Sequence, residues 1–256
     1  MAEKKKALLI DITKCIGCHS CEVACKAQHN LPGDPELQLS ETALTTVQEH
    51  EGKNVRRLCM HCEEPACASA CLVGALKKTS YGPVVYDKDK CIGCRYCMIA
   101  CPNSVPKYEW SKLAPYVKKC DMCYERVAQG QQTACAEACP TGATLFGDRD
   151  QLLREARRRL DSDSNYVQRI YGEREFGGTS VLFISDVPFE KLGFTVVQSE
   201  EPPLPTLTAS ALGEVPTVVL VGGSLLAGLY WITQRRREVA LAEAAEKAAR
   251  NGEERN

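Results

Sequence analysis

Short apolar runs and charged stretches divide most of the chain into small elements. The run from Ala7 to Ile12 predicts a strand, because it is too short for the apolar part of a secretory signal and has no cleavage site. Residues 148–160 have the composition of an exposed helix, with Asp148 as its N-cap. The segment 177–189 predicts a turn followed by one strand.

A longer apolar segment lies near the C-terminus. Residues 216–233 carry no charged side chain and would extend roughly 27 Å as a helix, about the thickness of the hydrocarbon layer. They predict a transmembrane helix. The alternative is a buried core helix, but a proline-rich linker at residues 200–210, predicted to be extended, precedes the segment and only a charged tail follows it.

Basic residues distinguish the two sides of this apolar segment. Residues 196–215 contain no Lys or Arg, whereas residues 234–253 contain Arg235, Arg236, Arg237, Lys247 and Arg250. Positive residues prefer the cytoplasmic side of a membrane. We therefore expect a single-pass protein of the bacterial inner (cytoplasmic) membrane, with a cytoplasmic C-terminus and the preceding part of the chain on the periplasmic side.

The composition excludes one class of partner and singles out one part of the chain. Lys and Arg total 32 against 33 Asp and Glu, for a net charge of −1, so the chain lacks the basic surface that nucleic-acid binding requires. It has 44% hydrophobic residues, which is typical of a globular protein. All 16 cysteines lie between Cys15 and Cys139, so this block is held together by more than an apolar core.

The cysteines form four groups with related spacing. The first and third follow C-x2-C-x2-C-x3-C, the second widens one gap to four residues, and the fourth widens one gap to eleven. This internal repeat predicts an α+β fold of two ferredoxin-like dicluster units related by a pseudo-twofold, with one C-terminal transmembrane helix. The groups are Cys15, Cys18, Cys21, Cys25; Cys59, Cys62, Cys67, Cys71; Cys91, Cys94, Cys97, Cys101; and Cys120, Cys123, Cys135, Cys139.

This spacing suits [4Fe–4S] clusters. Three cysteines of such a loop wrap one cluster, and the fourth ligates the other cluster of a pair. Four groups then supply four [4Fe–4S] clusters with no cysteine left over. We favour pairing the first group with the fourth and the second with the third, but the spacing also allows sequential pairing. The favoured ligand sets are Cys15, Cys18, Cys21, Cys139; Cys120, Cys123, Cys135, Cys25; Cys59, Cys62, Cys67, Cys101; and Cys91, Cys94, Cys97, Cys71.

Zinc and disulfides suit the cysteine pattern less well. Structural zinc usually pairs two CxxC knuckles, and disulfide scaffolds are short chains with irregular cysteine spacing. Each cluster with its thiolates carries a charge of about −2, which nearby basic residues can offset. Those residues are Lys14, Lys26, Lys90, Arg95, Lys118 and Lys119. The histidines, His19, His29, His50 and His61, are interpreted as surface or supporting residues rather than ligands.

Four segments resemble the four-cluster iron–sulfur (beta) subunits of membrane-bound respiratory oxidoreductases. They are "CIGCHSCEVACK", "CMHCEEPACASAC", "DKDKCIGCRYCMIACP" and "KKCDMCYERVAQGQQTACAEACPTGA", within residues 7 to about 150. The later segment "YGEREFGGTSVLFISDVPFEKLGF", followed by one membrane helix, is similar to the hydrogenase 2 and formate dehydrogenase N subunits rather than to the dimethyl sulfoxide reductase type.

The resemblance implies an electron-transfer role without substrate chemistry. The chain would connect a periplasmic catalytic subunit, either a NiFe hydrogenase or a molybdenum or tungsten pterin enzyme, to a quinone-reactive integral membrane subunit. It also implies pairing of the first group with the fourth and of the second with the third. Nitrate-reductase-type members carry Trp where this chain has Cys97, so we expect four cubane clusters.

Two further expectations concern the export of the chain and its domain boundaries. The chain shows no twin-arginine signal, so export is expected to depend on a partner that bears one. The predicted domains are a four-cluster domain at residues 1–150, an extension and linker at 151–205, a membrane anchor at 206–236 and a cytoplasmic tail at 237–256. The alternatives are a free-standing membrane-associated polyferredoxin and, less favoured, an enzyme with an open cluster iron.

Overall fold

Nine short strands and seven α-helices lie in the part of the chain that the computed structural model describes, residues 4–110, 112–113, 115–195 and 202–253. The strands are β1 (Lys6–Asp11), β2 (Thr46–His50), β3 (Lys53–Arg57), β4 (Leu76–Lys78), β5 (Val84–Tyr86), β6 (Lys107–Tyr108), β7 (Val117–Lys118), β8 (Thr144–Asp148) and β9 (Val181–Ile184). The helices are α1 (Ser20–Gln28), α2 (Ala66–Ser69), α3 (Tyr96–Ala100), α4 (Tyr124–Ala128), α5 (Ala134–Glu137), α6 (Arg149–Ser162) and α7 (Leu204–Glu253).

A three-stranded sheet joins the beginning and the end of the cysteine block. The strand β1 is central, antiparallel to β8 and parallel to β9. Residues Ala7, Leu8 and Leu9 are fully buried, because both faces of the strand are covered. The strands predicted before Cys15 and within residues 177–189 are therefore confirmed.

The helix α6 covers one face of this sheet. Its apolar side consists of Leu152, Leu153, Ala156 and Leu160, which pack against alternate residues of β1 and β9. The predicted helix is confirmed, but Asp148 does not cap it through its side chain. The β1–β8 register places Lys6 opposite this carboxylate, and the Lys6 Nζ donates to it at 2.6 Å instead.

The chain divides into two compact units, the first of which ends at Thr206. Three two-stranded hairpins, β2–β3, β4–β5 and β6–β7, complete the described part of this first unit. The hairpin β4–β5 connects the second cysteine group to the third, just as the β1–β8 pair connects the first group to the fourth. A mixed α and β fold is thus present. The pseudo-twofold relation between two whole units stays a prediction.

The helix α7 is much longer than the predicted membrane segment. It has 50 residues and forms a second unit from residue 207 onward. The extended linker predicted at residues 200–210 is wrong from Leu204 onward, whereas residues 200 and 201 lie outside the described part. A proline in the first turn of a helix needs no acceptor for its missing N–H, so Pro205 does not delay the start.

Within α7, residues 204–245 are long and apolar enough to cross a membrane, judged by length and composition. Their most apolar window has a mean hydropathy of 1.8, and none of it is buried against other described residues. This exposure contradicts the alternative of a buried core helix. The predicted domain boundaries stay predictions.

Candidate metal centres

The four cysteine loops share one backbone feature. Two residues after the first cysteine of each group the backbone is left-handed, with φ of 70° at Gly17, 50° at His61, 71° at Gly93 and 59° at Met122. Left-handed residues in a turn can direct neighbouring backbone N–H groups into a concave surface that favours anions. The sequence repeat is therefore also a repeat of local backbone conformation.

Each group also places its third cysteine on a helix. Cys21, Cys67, Cys97 and Cys135 are the second residues of α1, α2, α3 and α5, respectively. The last cysteine follows four residues later, and in α1 this residue, Cys25, lies on the same helix face as the third. Two thiols about one turn apart can thus face two neighbouring centres.

Short 3-10 turns lead into the first and third groups. The Asp11 carboxylate accepts from the Thr13 N–H at 3.2 Å, and Asp87 accepts from the Asp89 N–H at 3.1 Å. Asp11 is fully buried and also accepts from the Arg159 Nη1 at 2.8 Å. The helix α6 therefore anchors the turn that precedes the first cysteine loop.

The thiols fall into four sets, judged by which cysteines act on the pKa values of six of them, namely Cys15, Cys21, Cys25, Cys62, Cys97 and Cys120. Every set contains three cysteines of one group and the last cysteine of another. These are the sets that the favoured pairing requires, and their role as ligands stays a prediction. Set A is Cys15, Cys18, Cys21 and Cys139; set B is Cys25, Cys120, Cys123 and Cys135; set C is Cys59, Cys62, Cys67 and Cys101; set D is Cys71, Cys91, Cys94 and Cys97.

Cysteines of adjacent sets also act on each other's pKa. Cys135 of set B contributes to the raised pKa of Cys21 in set A. In the same way, Cys59 of set C contributes to the raised pKa of Cys120 in set B, and Cys97 of set D to that of Cys67 in set C. These influences connect set A with set B, set B with set C and set C with set D.

The donor atoms suit iron–sulfur clusters. All sixteen thiols are free, and only Cys18 among them is exposed. Burial raises the pKa of Cys25 and of Cys67 to about 12, so both thiols keep their protons at neutral pH unless a metal ion displaces them. Soft thiolate sets of this kind favour iron–sulfur clusters or zinc.

Backbone N–H groups point at several of the sulfur atoms. Ala75 donates to the Cys71 Sγ at 3.2 Å, and Thr144 donates to the Cys139 Sγ at 3.4 Å. Burial acts to raise the pKa of Cys139, but hydrogen bonds from Thr144 and Thr141 lower it overall. Such bonds stabilise the thiolate form that metal binding requires.

Two basic side chains are buried among the sets. Lys119, which the sequence indicated, donates to the carbonyl oxygen of Cys120 at 2.9 Å and to that of Val84. Arg56, which sequence reasoning missed, is 3% exposed. Burial acts to lower the pKa of Arg56, yet the thiols of Cys135 and Cys21 raise it above its ordinary value.

The other basic residues predicted to offset cluster charge either pair with a carboxylate or are exposed to solvent. Lys26 is buried and pairs with Glu36 at 2.8 Å, and Lys118 lies 3.3 Å from a carboxylate oxygen of Glu109. The remaining three are exposed, so solvent screens their charge. They are Lys14, Lys90 and Arg95.

The histidines serve different local roles. His61 is fully buried, its Nδ1 accepts from the Val84 N–H at 2.9 Å, and its Nε2 has no partner among the described residues. His29 lies 3.3 Å from Asp121, and hydrogen bonds with Asp121 and Cys123 raise the pKa of His29 to about 10. His19 contacts Glu22, and His50 contacts Gln48.

Comparison with known proteins agrees with these features. A family described as "4Fe-4S dicluster domain" matches residues 51–149, which include the second, third and fourth cysteine groups. The chain is also similar to the "Hydrogenase-2 operon protein HybA" of Escherichia coli O157:H7, with 34% identity over 281 residues that cover 89% of this chain and 84% of that protein.

Two further relatives cover less of the sequence. The "Probable anaerobic dimethyl sulfoxide reductase chain YnfG" of Escherichia coli (strain K12) is 43% identical over 154 residues, 56% of this chain and 73% of that protein. The "Formate dehydrogenase iron-sulfur subunit" of Haemophilus influenzae is 34% identical over 200 residues, 70% of this chain and 64% of that protein.

Replacement of Gly17 by alanine tests the loop geometry. A Cβ at Gly17 would lie 2.6 Å from the Oδ1 of Asn54, whose Nδ2 donates to the Cys15 carbonyl oxygen at 3.2 Å. The left-handed backbone alone costs a non-glycine residue about 1–2 kcal/mol. We expect Gly17→Ala to lower both the free energy of unfolding and the iron bound per purified chain.

Gly130→Ala is the matched control. Gly130 has φ of 78°, and a Cβ added there would meet no described atom within 4 Å. This variant therefore carries the backbone cost without the steric clash. Iron per chain, measured by mass spectrometry, should be lower in Gly17→Ala than in Gly130→Ala. Equal iron in the two variants would contradict the proposed constraint on the first loop.

Proposed function

The protein belongs to the family of iron–sulfur electron-transfer subunits of hydrogenase, dimethyl sulfoxide reductase and formate dehydrogenase, and from this we propose that it relays electrons through four [4Fe–4S] clusters. Each cluster, when bound, supplies one reversible one-electron carrier. The observation that carries the proposal is the collection of sixteen free thiols into sets A to D.

We assign one cluster to each set. Strand pairing supports this assignment over sequential pairing. The strand β1 leads into the first group and pairs with β8, which follows the fourth group. The strand β4 follows the second group and pairs with β5, which leads into the third. These strand pairings support a position of the last cysteine of each group beside the loop of its partner group.

The order of the sets supports a linear path. Sets B and C lie between sets A and D, so their clusters would be the internal carriers. At one end, Cys18 of set A and Ile16 in the same loop are exposed. At the other, Ile92 and Ile99 beside set D are 62% and 84% exposed. Electrons would enter and leave at these two ends.

The function proposed is not catalytic. Each set supplies four thiolates to its cluster, which leaves no iron position open for a substrate. The protein's contribution is to hold the clusters close together, to limit their exposure to water and to set their potentials through hydrogen bonds and charges. The chemistry at the ends of the path belongs to other subunits.

We further propose a membrane-bound complex. The catalytic partner would be a NiFe hydrogenase or a molybdenum or tungsten pterin enzyme on the periplasmic side, and the second partner a quinone-reactive integral membrane subunit. The names of the relatives support the first partner, and the apolar stretch of α7 supports attachment to the lipid bilayer. The basic cluster from Arg235 to Arg237 supports a cytoplasmic C-terminus.

Serine variants of single cysteines test the assignment of ligands. In the reduced protein, Cys25→Ser and Cys120→Ser should alter the same one of four electron paramagnetic resonance signals, because both residues belong to set B. Sequential pairing would instead give Cys25→Ser the same effect as Cys59→Ser. A second pair of variants tests the same assignment in set D. Cys71→Ser should alter the same signal as Cys91→Ser, since both residues belong to that set.

Metal analysis of the tagged, gently solubilised complex tests the partner. We expect about 16 iron atoms per chain, from four clusters of four irons. Nickel in the same sample would identify a hydrogenase, and molybdenum or tungsten would identify a pterin enzyme such as formate dehydrogenase. Iron without any of these metals would favour the free-standing polyferredoxin and contradict the proposed complex.

Charged substitutions in α7 test membrane attachment. The double variant Leu225→Arg, Leu226→Arg should move from the membrane fraction to the soluble fraction, because each arginine costs about 2.5–3.5 kcal/mol at the membrane centre. Leu241→Arg, outside residues 216–233, should stay in the membrane. An epitope tag fused after Asn256 should be protected from protease added to intact spheroplasts and should be cleaved only after lysis. Cleavage of the tag in intact spheroplasts would reverse the proposed orientation.

A further inference from the structure

Arg56 is a buried cation in an unusual place. It lies on β3, its side chain is almost completely inaccessible, and its register partner across the hairpin is Val47. Its Nε donates to the Thr45 hydroxyl at 2.9 Å, and its Nη1 donates to the Thr144 hydroxyl at 3.3 Å. These two neutral acceptors use part of the five N–H groups of a guanidinium.

The charge of Arg56 has no carboxylate partner among the described residues. Ion pairs occur throughout this part of the molecule, for example Arg159 with Asp11 and Lys26 with Glu36, but none of them includes Arg56. Burying an unpaired charge costs several kcal/mol or more. Because a guanidinium stays protonated in proteins, the compensating negative charge must come from another source.

The nearest sources of negative charge are the two thiol sets on either side. Arg56 lines the same cavity as Cys15, Cys21 and Cys139, which belong to set A. Cys135, a member of set B, also acts on the guanidinium and helps to raise the pKa of Arg56. A single fixed cation therefore borders both sets.

We propose that Arg56 is the shared counter-ion of the clusters in sets A and B and that it raises the reduction potentials of both. The inference rests on the proposed function, since it requires a cluster in each set. A nearby positive charge stabilises the reduced state, which carries one more negative charge than the oxidised state. The effect should be confined to these two clusters, because it falls with distance.

The neighbouring Arg57 provides a matched control on the same strand. Successive side chains of a strand point to opposite faces. The Arg57 guanidinium donates to the Leu192 carbonyl oxygen and lies 4.6 Å from the centre of the Phe194 ring. Arg57→Gln removes one positive charge from the same hairpin, as Arg56→Gln does, but at a position away from the thiol sets.

The test is a redox titration of the full-length protein in its solubilised complex, followed by electron paramagnetic resonance. In Arg56→Gln, the equilibrium constant for reduction should fall at least tenfold for two of the four clusters, which is about 59 mV for a one-electron couple. The other two should change less than threefold. Arg56→Lys, which keeps the charge, should stay within threefold of the unaltered protein, as should Arg57→Gln.

Several outcomes would overturn the inference. These are no change in Arg56→Gln, a similar fall in all four clusters, or a tenfold fall in Arg56→Lys. If Arg56→Gln binds no clusters while Arg56→Lys binds all four, a required counter-charge is supported. If neither binds them, the shape of the arginine rather than its charge is what matters, and the inference fails.

The unaltered complex separates this inference from the proposed function. If it contains far fewer than 16 iron atoms per chain or fewer than four reducible centres, the proposed function fails whatever the variants do. If it contains four reducible centres and the Arg56 variants do not behave as described, only the role of Arg56 is wrong.

Discussion

The first unit depends on collecting sixteen thiols, all but one of them at least partly buried, which would all bear negative charge in their proposed role as cluster ligands. Burial alone opposes that charge, as the raised pKa of Cys25 illustrates. Three features of the fold stabilise the charged form. They are backbone N–H groups directed at sulfur, left-handed residues in the cysteine loops, and buried cations such as Lys119. Its apolar residues are divided among several small clusters in which cysteines themselves take part. Metal binding and folding are therefore expected to be one process.

The sequence was most informative where the signal is local. The spacing of the cysteines indicated the loops because three of the four ligands proposed for each cluster lie in one loop, and apolar runs indicated β1 and β9. Partners that are distant in the chain were not readable. The sequence around Arg56 does not predict that this residue lies between two cysteine sets. Its position depends on the β2–β3 hairpin, whose strand β3 places Arg56 in a cavity lined by cysteines. The side chain of Asp148 was likewise assigned to the nearest helix rather than to Lys6.

The C-terminal helix illustrates a different limit. Its apolar stretch was evident from composition, but its beginning was not, since prolines at residues 202, 203 and 205 are equally compatible with an extended linker and with the first turn of a helix. The observed helix, from Leu204 to Glu253, is more than twice as long as the predicted membrane segment, because it extends that segment in both directions. Apolar composition therefore identified the element, whereas its boundaries depended on which of two permitted backbone conformations the prolines adopt.

The two strand pairings differ in how much of the protein must be synthesised before they can form. The hairpin β4–β5 pairs Leu76 with Tyr86, so sets C and D can be brought together soon after the third cysteine group leaves the ribosome. The β1–β8 pair joins Lys6 to Asp148, and the first cysteine loop must wait for almost the whole block before its partner strand exists. Closing the longer loop costs more chain entropy and comes later. Cluster insertion would accordingly proceed from the middle of the block outward, with the first loop exposed to oxidation for longest.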